Sequence, residues 1–522
     1  MSAPRRARRY APLLLAAAVA GLAVGGGSAL ARRADGDGPR RAVPPRAAPT
    51  PEVAGAPRPD IVLLVLDDLP EMDLRVLRRL PTISRLFLDG GVRFTRHMGN
   101  DPLCCPGRAT LFTGLRSRDH GVIDNDGRTF DPSVTIATEL SGAGYRTAIL
   151  GKYLNRVKPP LDVTPPGWDR VLTGLDYYGD TWWDDGRPYP LGRRPRDYSV
   201  DLIARRATRW IARRGPATPA FLYLSPYTVH PGRDERGRLS GDEPVVAPRH
   251  RGDARCAGIA PWRTPAHGVL PDPAPAWLAG VDPARRAEGR PLTAVCEALL
   301  AVDDMVAAVE AAFLAAGRTD VAWILTADNG MSWGRFGWER KLVPWAVPLP
   351  MLVRWPAGSS AVPRSVAVTT SATDIAPTLC ALAGCVVGPV PSGAEVAGVS
   401  LLPLLAGTAG GLARTALPTE QLVPGPGEAP MPAWQGIVTT EAHPAGRWAY
   451  VRYADGSVTL TDLAADPWGL TDRAADPALA DLRTELAAAW ATFHDPLPVV
   501  PWPPPSPAPT SGPSASPRPG DD

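Results

Sequence analysis

The apolar run Ile61 to Leu66 has no polar interruption and stops abruptly at Asp67-Asp68. A second such run, Val321 to Thr326, stops just before Asp328-Asn329-Gly330. Runs of this continuity read as strands buried on both faces, as in a parallel sheet covered by helices. Ahead of the second run, apolar residues fall at Leu292, Val295, Leu299, Val302, Val306, Val309 and Phe313. Steps of three and four predict an amphipathic helix laid on that sheet. The fold class is therefore α/β, with a large, mostly parallel sheet flanked by helices. Both strands deliver oxygen-bearing side chains to their carboxyl ends, which is where open α/β sheets bind ligands.

The main domain is expected over 59–405. Beyond it a Gly/Pro-rich stretch, Gly407 to Pro432, precedes the short β-type runs Gln435 to Thr440, Trp448 to Tyr453 and Ser457 to Asp462, then a helical run from Ala478 to Phe493. These predict a smaller C-terminal α+β domain over 406–496. The sequence clusters no titratable groups there, so its expected role is to pack against the main sheet and shape the cleft.

At the N-terminus, Arg5, Arg6, Arg8 and Arg9 precede the apolar run Ala11 to Val24 and the small-residue stretch Ala29-Leu30-Ala31. That three-part layout reads as an export signal over 1–31, cleaved near Ala31. The run is shorter than the ~20 residues a spanning helix needs, so no stable membrane span is expected after processing. The chain is expected to be secreted or extracytoplasmic, and the paired arginines also permit a twin-arginine route. Residues 32–58 and 497–522 are rich in Pro, Ala and small or polar residues without apolar period, and read as disordered tethers.

With 44% hydrophobic residues in 522, there is enough apolar material for both cores. A net charge of only +3 with no basic stripe argues against a nucleic-acid partner. Lysine occurs only at Lys152, Lys158 and Lys341, and asparagine only at Asn100, Asn125, Asn155 and Asn329. Such scarcity makes each survivor informative. Six cysteines in an exported chain invite disulfides, with Cys256–Cys296 and Cys380–Cys385 as plausible pairs. Cys104 and Cys105 are left over, and sequence neighbours bridge only with strain. An unpaired Cys-Cys in such a chain points to chemistry.

Cys104 to Gly114 reads Cys-Cys-Pro-Gly-Arg-Ala-Thr-Leu-Phe-Thr-Gly, with Pro106 suited to the first turn of a helix. The positive pole and free N–H groups of a helix start suit an anionic ligand. Cys104-x-Pro106-x-Arg108 followed by Leu111-Phe112-Thr113-Gly114 resembles the signature of the sulfatases, within the alkaline-phosphatase superfamily. The resemblance implies that Cys104 is oxidised to formylglycine; Cys105 lacks an arginine at the required spacing.

The likeness runs over roughly 59–495. Asp67-Asp68 resemble the first metal pair and Asp328-Asn329-Gly330 the second. Gly151-Lys152-Tyr153-Leu154-Asn155 resembles the motif of glucosamine-6-sulfatases and heparan endosulfatases, His230-Pro231 the His-Pro step after a core strand, and Trp448 to Leu470 the final hairpin and loop. Lys152 matches one sulfate-binding lysine directly. Lys341 matches the other if Lys341-Leu342-Val343-Pro344-Trp345 is followed by a two-residue deletion; without that gap Glu339 takes the position.

By this resemblance the substrate is a sulfate monoester, a sulfated small molecule or glycan, with 6-O-sulfated N-acetylglucosamine favoured by the 151–155 motif. Asp67, Asp68, Asp328, Asn329 and the modified Cys104 would ligate Ca2+, or Mg2+. The hydrated aldehyde at 104 would attack sulfur to give a sulfated enzyme. Arg108 would stabilise that hydrate, Lys152 would clamp the sulfate, and His230 or Lys341 would protonate the leaving alcohol. Maturation implies a formylglycine-generating enzyme as partner. Two other readings stay open: a phosphonate or phosphodiester hydrolase of the same superfamily, and a non-catalytic surface protein that binds anionic glycans.

Gly107 replaces the usual Ser or Ala, which is expected to loosen the helix start by up to ~1 kcal/mol. Trp333, Phe336 and Trp338, with Trp182 and Trp183, either stack on a sugar or fill core. His120 is expected to support the site without entering it, and His97, His250, His267, His443 and His494 to be structural or surface residues.

Overall fold

The computed structural model describes residues 58–497 apart from 72–73, 158–163, 214–217, 360–362, 389–392, 425–430 and 496. The expected export signal, nearly all of both tethers and Lys158 lie outside the described residues. The strands in chain order are β1 (Asp60–Leu66), β2 (Val92–Met98), β3 (Arg146–Gly151), β4 (Arg170–Thr173), β5 (Thr181–Asp184), β6 (Arg187–Pro190), β7 (Ala220–Ser225), β8 (Pro231–Arg233), β9 (Leu239–Pro244), β10 (Val321–Ala327), β11 (Leu352–Arg354) and β12 (Arg364–Ser371), then β13 (Ala416–Gln421), β14 (Trp434–Thr439), β15 (Trp448–Tyr453) and β16 (Val458–Asp462).

Ten of these form one sheet in the order β12-β2-β11-β10-β1-β7-β3-β4-β5-β6. Its centre, β10-β1-β7-β3-β4, is parallel. Toward both edges the pairing turns antiparallel, at β11 and at the β4-β5-β6 meander. The sheet is thus mixed: the strands that carry the site form its parallel centre, and the edge pair β12-β2 is parallel as well.

Every residue of β1 is buried. Val62, Leu64 and Leu66 join one apolar layer, which holds the buried stripe of the helix Thr293–Ala315, while Ile61, Leu63 and Val65 join the layer on the opposite face. Burial on two faces accounts for the unbroken apolar reading of the strand.

The C-terminal part folds as a four-stranded antiparallel sheet, β13-β14-β15-β16, with the helix Ala480–Phe493 on it through Leu486 and Trp490. β13 lies inside the stretch whose Gly and Pro content hid it. Its pairing with β14 runs the full length from Ala416↔Thr439 to Gln421↔Trp434, with Pro418 tolerated at the sheet edge.

Cys256 and Cys296 form the expected disulfide, with Cα atoms 5.7 Å apart. Cys380 and Cys385 are free thiols, so that expected pair is corrected. They flank the end of the helix Ile375–Ala383, where the Cys385 N–H donates to the Cys380 carbonyl at 2.8 Å and backbone bonding closes the turn. The aromatic residues of the Lys341 approach also resolve. Trp333, Phe336 and Trp338 there, and Trp182 on β5, are all under 10% exposed and belong to core clusters, so they are core rather than a sugar platform, whereas Trp183 on β5 is part-exposed and outside those clusters.

Candidate active site

β1 and β10 run side by side in register, Leu66 opposite Ala327, so Asp67 and Asp68 emerge next to Asp328 and Asn329. The Asp68 N–H donates to Asp328 Oδ1 at 3.1 Å, and the Asn329 amide N–H donates to the same oxygen at 2.9 Å. Asn329 Nδ2 donates to Asp68 Oδ1 at 2.7 Å. Asp68 adopts a left-handed backbone with φ of 61°, a strained conformation that aspartate tolerates better than most residues.

Cys104 opens the helix Cys104–Thr113. Leu103, the residue before it, gives no side-chain cap; the Cys105 N–H donates instead to Asn125 Oδ1 at 3.1 Å. Cys104 Sγ stands 3.9 Å from Asp67 Oδ1 and 3.9 Å from Asp68 Oδ1. Two ammonium groups close on this cluster. Lys152 Nζ lies 2.7 Å from Asp67 Oδ2, and Lys341 Nζ lies 2.5 Å from Asp68 Oδ1 and 2.9 Å from Cys104 Sγ. Lys152 reaches the site because β3 ends in Gly151, where φ is 123° and a β-carbon would sit 1.9 Å from the Ser225 carbonyl oxygen. Only glycine allows that crossing.

Arg108 is completely buried beneath Cys104. Its Nε donates to Asp328 Oδ2 at 2.9 Å, and Nη1 donates to the Lys152 carbonyl at 2.8 Å, Ser225 Oγ at 2.6 Å and Tyr223 Oη at 3.3 Å. With Nη2 also 3.6 Å from Asp67 Oδ2, one guanidinium ties the Cys104 helix to the ends of β1, β3, β7 and β10. His230 Nε2 stands 3.6 Å from Asp68 Oδ2, while Nδ1 is 2.6 Å from the Pro231 carbonyl.

The electrostatics follow from burial against this charge lattice. Burial raises Asp67 and Asp68, but Lys152 for the first and Lys341 for the second, with His230 acting on both, hold each carboxyl below its ordinary range. Burial holds Asp328 above its ordinary range despite Arg108. The Cys104 thiol is pushed up to about 12 by burial, against the pull of both lysines.

Every residue singled out from the sequence, namely Asp67, Asp68, Cys104, Arg108, Lys152, His230, Asp328, Asn329 and Lys341, converges here. Glu339, the alternative to Lys341, points away and pairs with Arg286 Nε at 2.9 Å. His120 supports the helix from outside, Nε2 3.2 Å from Thr110 Oγ1. Asn125, Ser225 and Tyr227 escaped sequence reading. Tyr227 presents its ring to Lys152 Nζ at 5.3 Å and to the His230 imidazole at 4.5 Å. Asn125 was findable by the rarity of asparagine, and Ser225 by its place at a strand end beside Gly151; Tyr227 carried no signal.

The donor set fits a hard divalent cation. Among the described residues, Asp67, Asp68 and Cys104 are the acidic or sulfur group whose ligand atoms cluster within 4.8 Å, and Asn329 Oδ1 is buried with no hydrogen-bond partner.

The extracellular sulfatase SULF-1 homolog of Drosophila melanogaster is 29% identical over 372 residues, covering 67% of this chain and 31% of that relative. Human N-acetylglucosamine-6-sulfatase is 27% identical over 387 residues, covering 68% of this chain and 65% of that relative. The chain thus spans from under a third to about two thirds of these relatives' length. A protein solved in complex with its substrate D-glucosamine-2-N,6-O-disulfate shares the fold at a TM-score of 0.63 and 20% identity, covering 84% of this chain and 97% of that one. The phosphonate monoester hydrolase of Silicibacter pomeroyi shares it at 0.60 and 20% identity, covering 83% and 94%. The sulfatase family model matches residues 59–385, from the start of β1 past the helix Ile375–Ala383, and the chain belongs to that family.

Proposed function

We propose that this protein hydrolyses sulfate monoesters, 6-O-sulfated N-acetylglucosamine or a related glycan unit among them, with Cys104 converted to formylglycine and the mature chain exported. The observation that carries the reading is the pair of buried ammonium groups, Lys152 Nζ and Lys341 Nζ, set against Asp67, Asp68 and Cys104. The three non-bridging oxygens of a sulfate ester carry its negative charge through the reaction while further charge develops on the leaving oxygen, and fixed cations in a water-poor site hold and stabilise that arrangement.

Formylglycine at 104 would supply a hydrated aldehyde, one hydroxyl to attack sulfur and a second to release sulfate afterwards. A divalent ion, Ca2+ or Mg2+, held by Asp67, Asp68, Asp328 and Asn329, would supply charge neutralisation beside that group. The chain's own residues do the rest. Arg108 locks the orientation of Asp328 and the start of the helix, so residue 104 cannot swing away. Lys152 and Lys341 orient the sulfate over it. His230 Nδ1 lies 2.6 Å from the Pro231 carbonyl and Nε2 3.6 Å from Asp68 Oδ2, and this part-exposed ring is placed to pass a proton to the leaving alcohol.

Export is supported by the N-terminal sequence pattern and by relatives named as extracellular sulfatases. The likeness to a phosphonate monoester hydrolase keeps phosphorus esters as the competing substrate class. Two measurements decide: the mass of the peptide carrying residue 104 in protein from its own host, and turnover of matched sulfate and phosphonate monoesters. An unmodified thiol at 104 sinks the catalytic reading and leaves glycan binding; faster phosphonate turnover reassigns the substrate.

A further inference from the structure

The small C-terminal sheet, in which the sequence shows no titratable cluster, contributes to a buried one. Asp101, Glu420 and His494 are at most 4% exposed, and they come from the lead-in to Cys104, from β13 and from the end of the last helix. One atom of each is used. Asp101 Oδ1 accepts the Leu103 N–H at 2.9 Å, Glu420 Oε1 accepts the Arg118 N–H at 3.1 Å, and His494 Nε2 lies 3.0 Å from the Gly436 carbonyl. The other three atoms, Asp101 Oδ2, Glu420 Oε2 and His494 Nδ1, are buried without a hydrogen-bond partner.

The same strand brackets the Cys104 helix. Ahead of it, the Glu420 N–H donates to the Asn100 carbonyl at 2.8 Å, Asn100 Nδ2 donates to the Pro418 carbonyl at 2.9 Å, and Asn100 Oδ1 accepts the Ser117 N–H at 3.0 Å. Behind it, Arg116 and Arg118 donate to the Phe493 carbonyl at 2.7 and 3.2 Å. Lead-in and exit are thus pinned to one strand and one helix end of the small domain.

We propose that Glu420 is a positioning residue for position 104: its backbone N–H holds the Asn100 carbonyl ahead of the Cys104 helix while its side chain holds the Arg118 N–H behind it, and together they fix where that helix begins. On the far side of the same carboxyl, His494 Nδ1 lies 3.7 Å from Glu420 Oε2. Facing charges are Arg116, Arg118 and Asp119 from the helix exit and Asp495 beyond His494. Burial outweighs the arginines and raises Glu420 to about 7, while burial lowers His494 to about 4. Glutamine keeps an oxygen to accept the Arg118 N–H; alanine removes it.

The proposal rests on reading position 104 as the reacting centre, so the test includes a readout that needs no activity. In full-length protein matured with formylglycine-generating enzyme, Glu420→Ala is expected to lower kcat about tenfold to a hundredfold with KM within twofold. Formylglycine content should stay normal, and amide exchange should quicken over residues 100–105. Glu420→Gln is expected to restore both kcat and protection. Leu460→Ala, a core truncation elsewhere in the small sheet, serves as comparator at matched loss of thermal stability. The proposal is overturned if Glu420→Ala keeps wild-type kcat and exchange, if Glu420→Gln is as impaired as alanine, or if Leu460→Ala loses kcat equally. Inactive wild-type protein with alanine-quickened exchange would refute the sulfatase reading and leave the positioning role standing.

Discussion

Lys341 and Cys104 stand 237 residues apart in the chain and 2.9 Å apart in space, Nζ to Sγ, with the same ammonium 2.5 Å from Asp68 Oδ1. No element of regular structure carries Lys341 there; it sits on an irregular segment between Trp338, whose indole N–H donates to the Lys341 carbonyl at 3.1 Å, and the short turn Pro344–Ala346. A lysine held this way by its own backbone has little freedom to leave the site, as a fixed transition-state cation requires.

Replacing Lys341 by Met is therefore expected to lower kcat/KM for a sulfate ester by about 10²–10³. Lys341→Arg should not rescue, because a planar fork cannot occupy the position of a compact ammonium between a carboxylate and residue 104. Glu339→Gln, at the position that a gapless match would have favoured, should stay within about twofold, since its partner is Arg286 and not the site. Steady-state kinetics on the three variants separates the two alignments.

Chelation provides the second test. Binding to Asp67, Asp68, Asp328 and Asn329 stabilises only the folded chain, so a divalent ion at a hundredfold excess over its Kd should add about 2.7 kcal/mol and raise the melting temperature. A chelator should remove both that increment and activity, with Ca2+ and Mg2+ compared for recovery. Asn329→Ala should weaken ion binding measured directly by calorimetry, because its buried Oδ1 has no protein partner to lose. An unchanged melting temperature after chelation would exclude an ion at this site.

The strands that carry the site were legible because burial on both faces leaves an unbroken apolar run, and their polar ends were conspicuous by contrast. Lys152, Lys341 and Asn329 stood out because the chain uses those residue types so rarely. What stayed hidden has physical reasons. β13 is flanked by Gly and Pro and contains Pro418, so propensity argued against a strand that pairing with β14 nevertheless stabilises. Trp333, Phe336 and Trp338 gave no periodicity to tell core from platform, since their segment is irregular. The antiparallel edges depend on how connections return, which side-chain pattern does not encode. Tyr227 matters only through the two residues the fold brings to its ring.

The Cys256–Cys296 bridge ties a short helical turn, Ala254–Cys256, to the first turn of the helix Thr293–Ala315 across 40 residues. Closing a loop of that size removes unfolded-state entropy worth about 4 kcal/mol. Cys296→Ser is expected to cost that order of stability in denaturant unfolding, while kcat is retained at low temperature, because neither cysteine approaches the site. Reductant should reproduce the loss in the wild type and leave the variant unmoved.

At Gly107 the structure reverses the sign expected from helix propensity. Gly107 lies in the first turn of the Cys104 helix, where alanine would ordinarily add up to ~1 kcal/mol. Here a β-carbon would fall 2.0 Å from the backbone oxygen of Asp328, far inside contact distance. That oxygen belongs to the residue that follows β10, whose side chain also receives Arg108 Nε, so it cannot yield without moving Asp328 and Asn329. Gly107→Ala should thus destabilise by about 1–3 kcal/mol, as overpacking does, and weaken divalent-ion binding together with turnover. A gain in thermal stability with unchanged ion affinity would show that the helix start and the β10 end are not packed this closely.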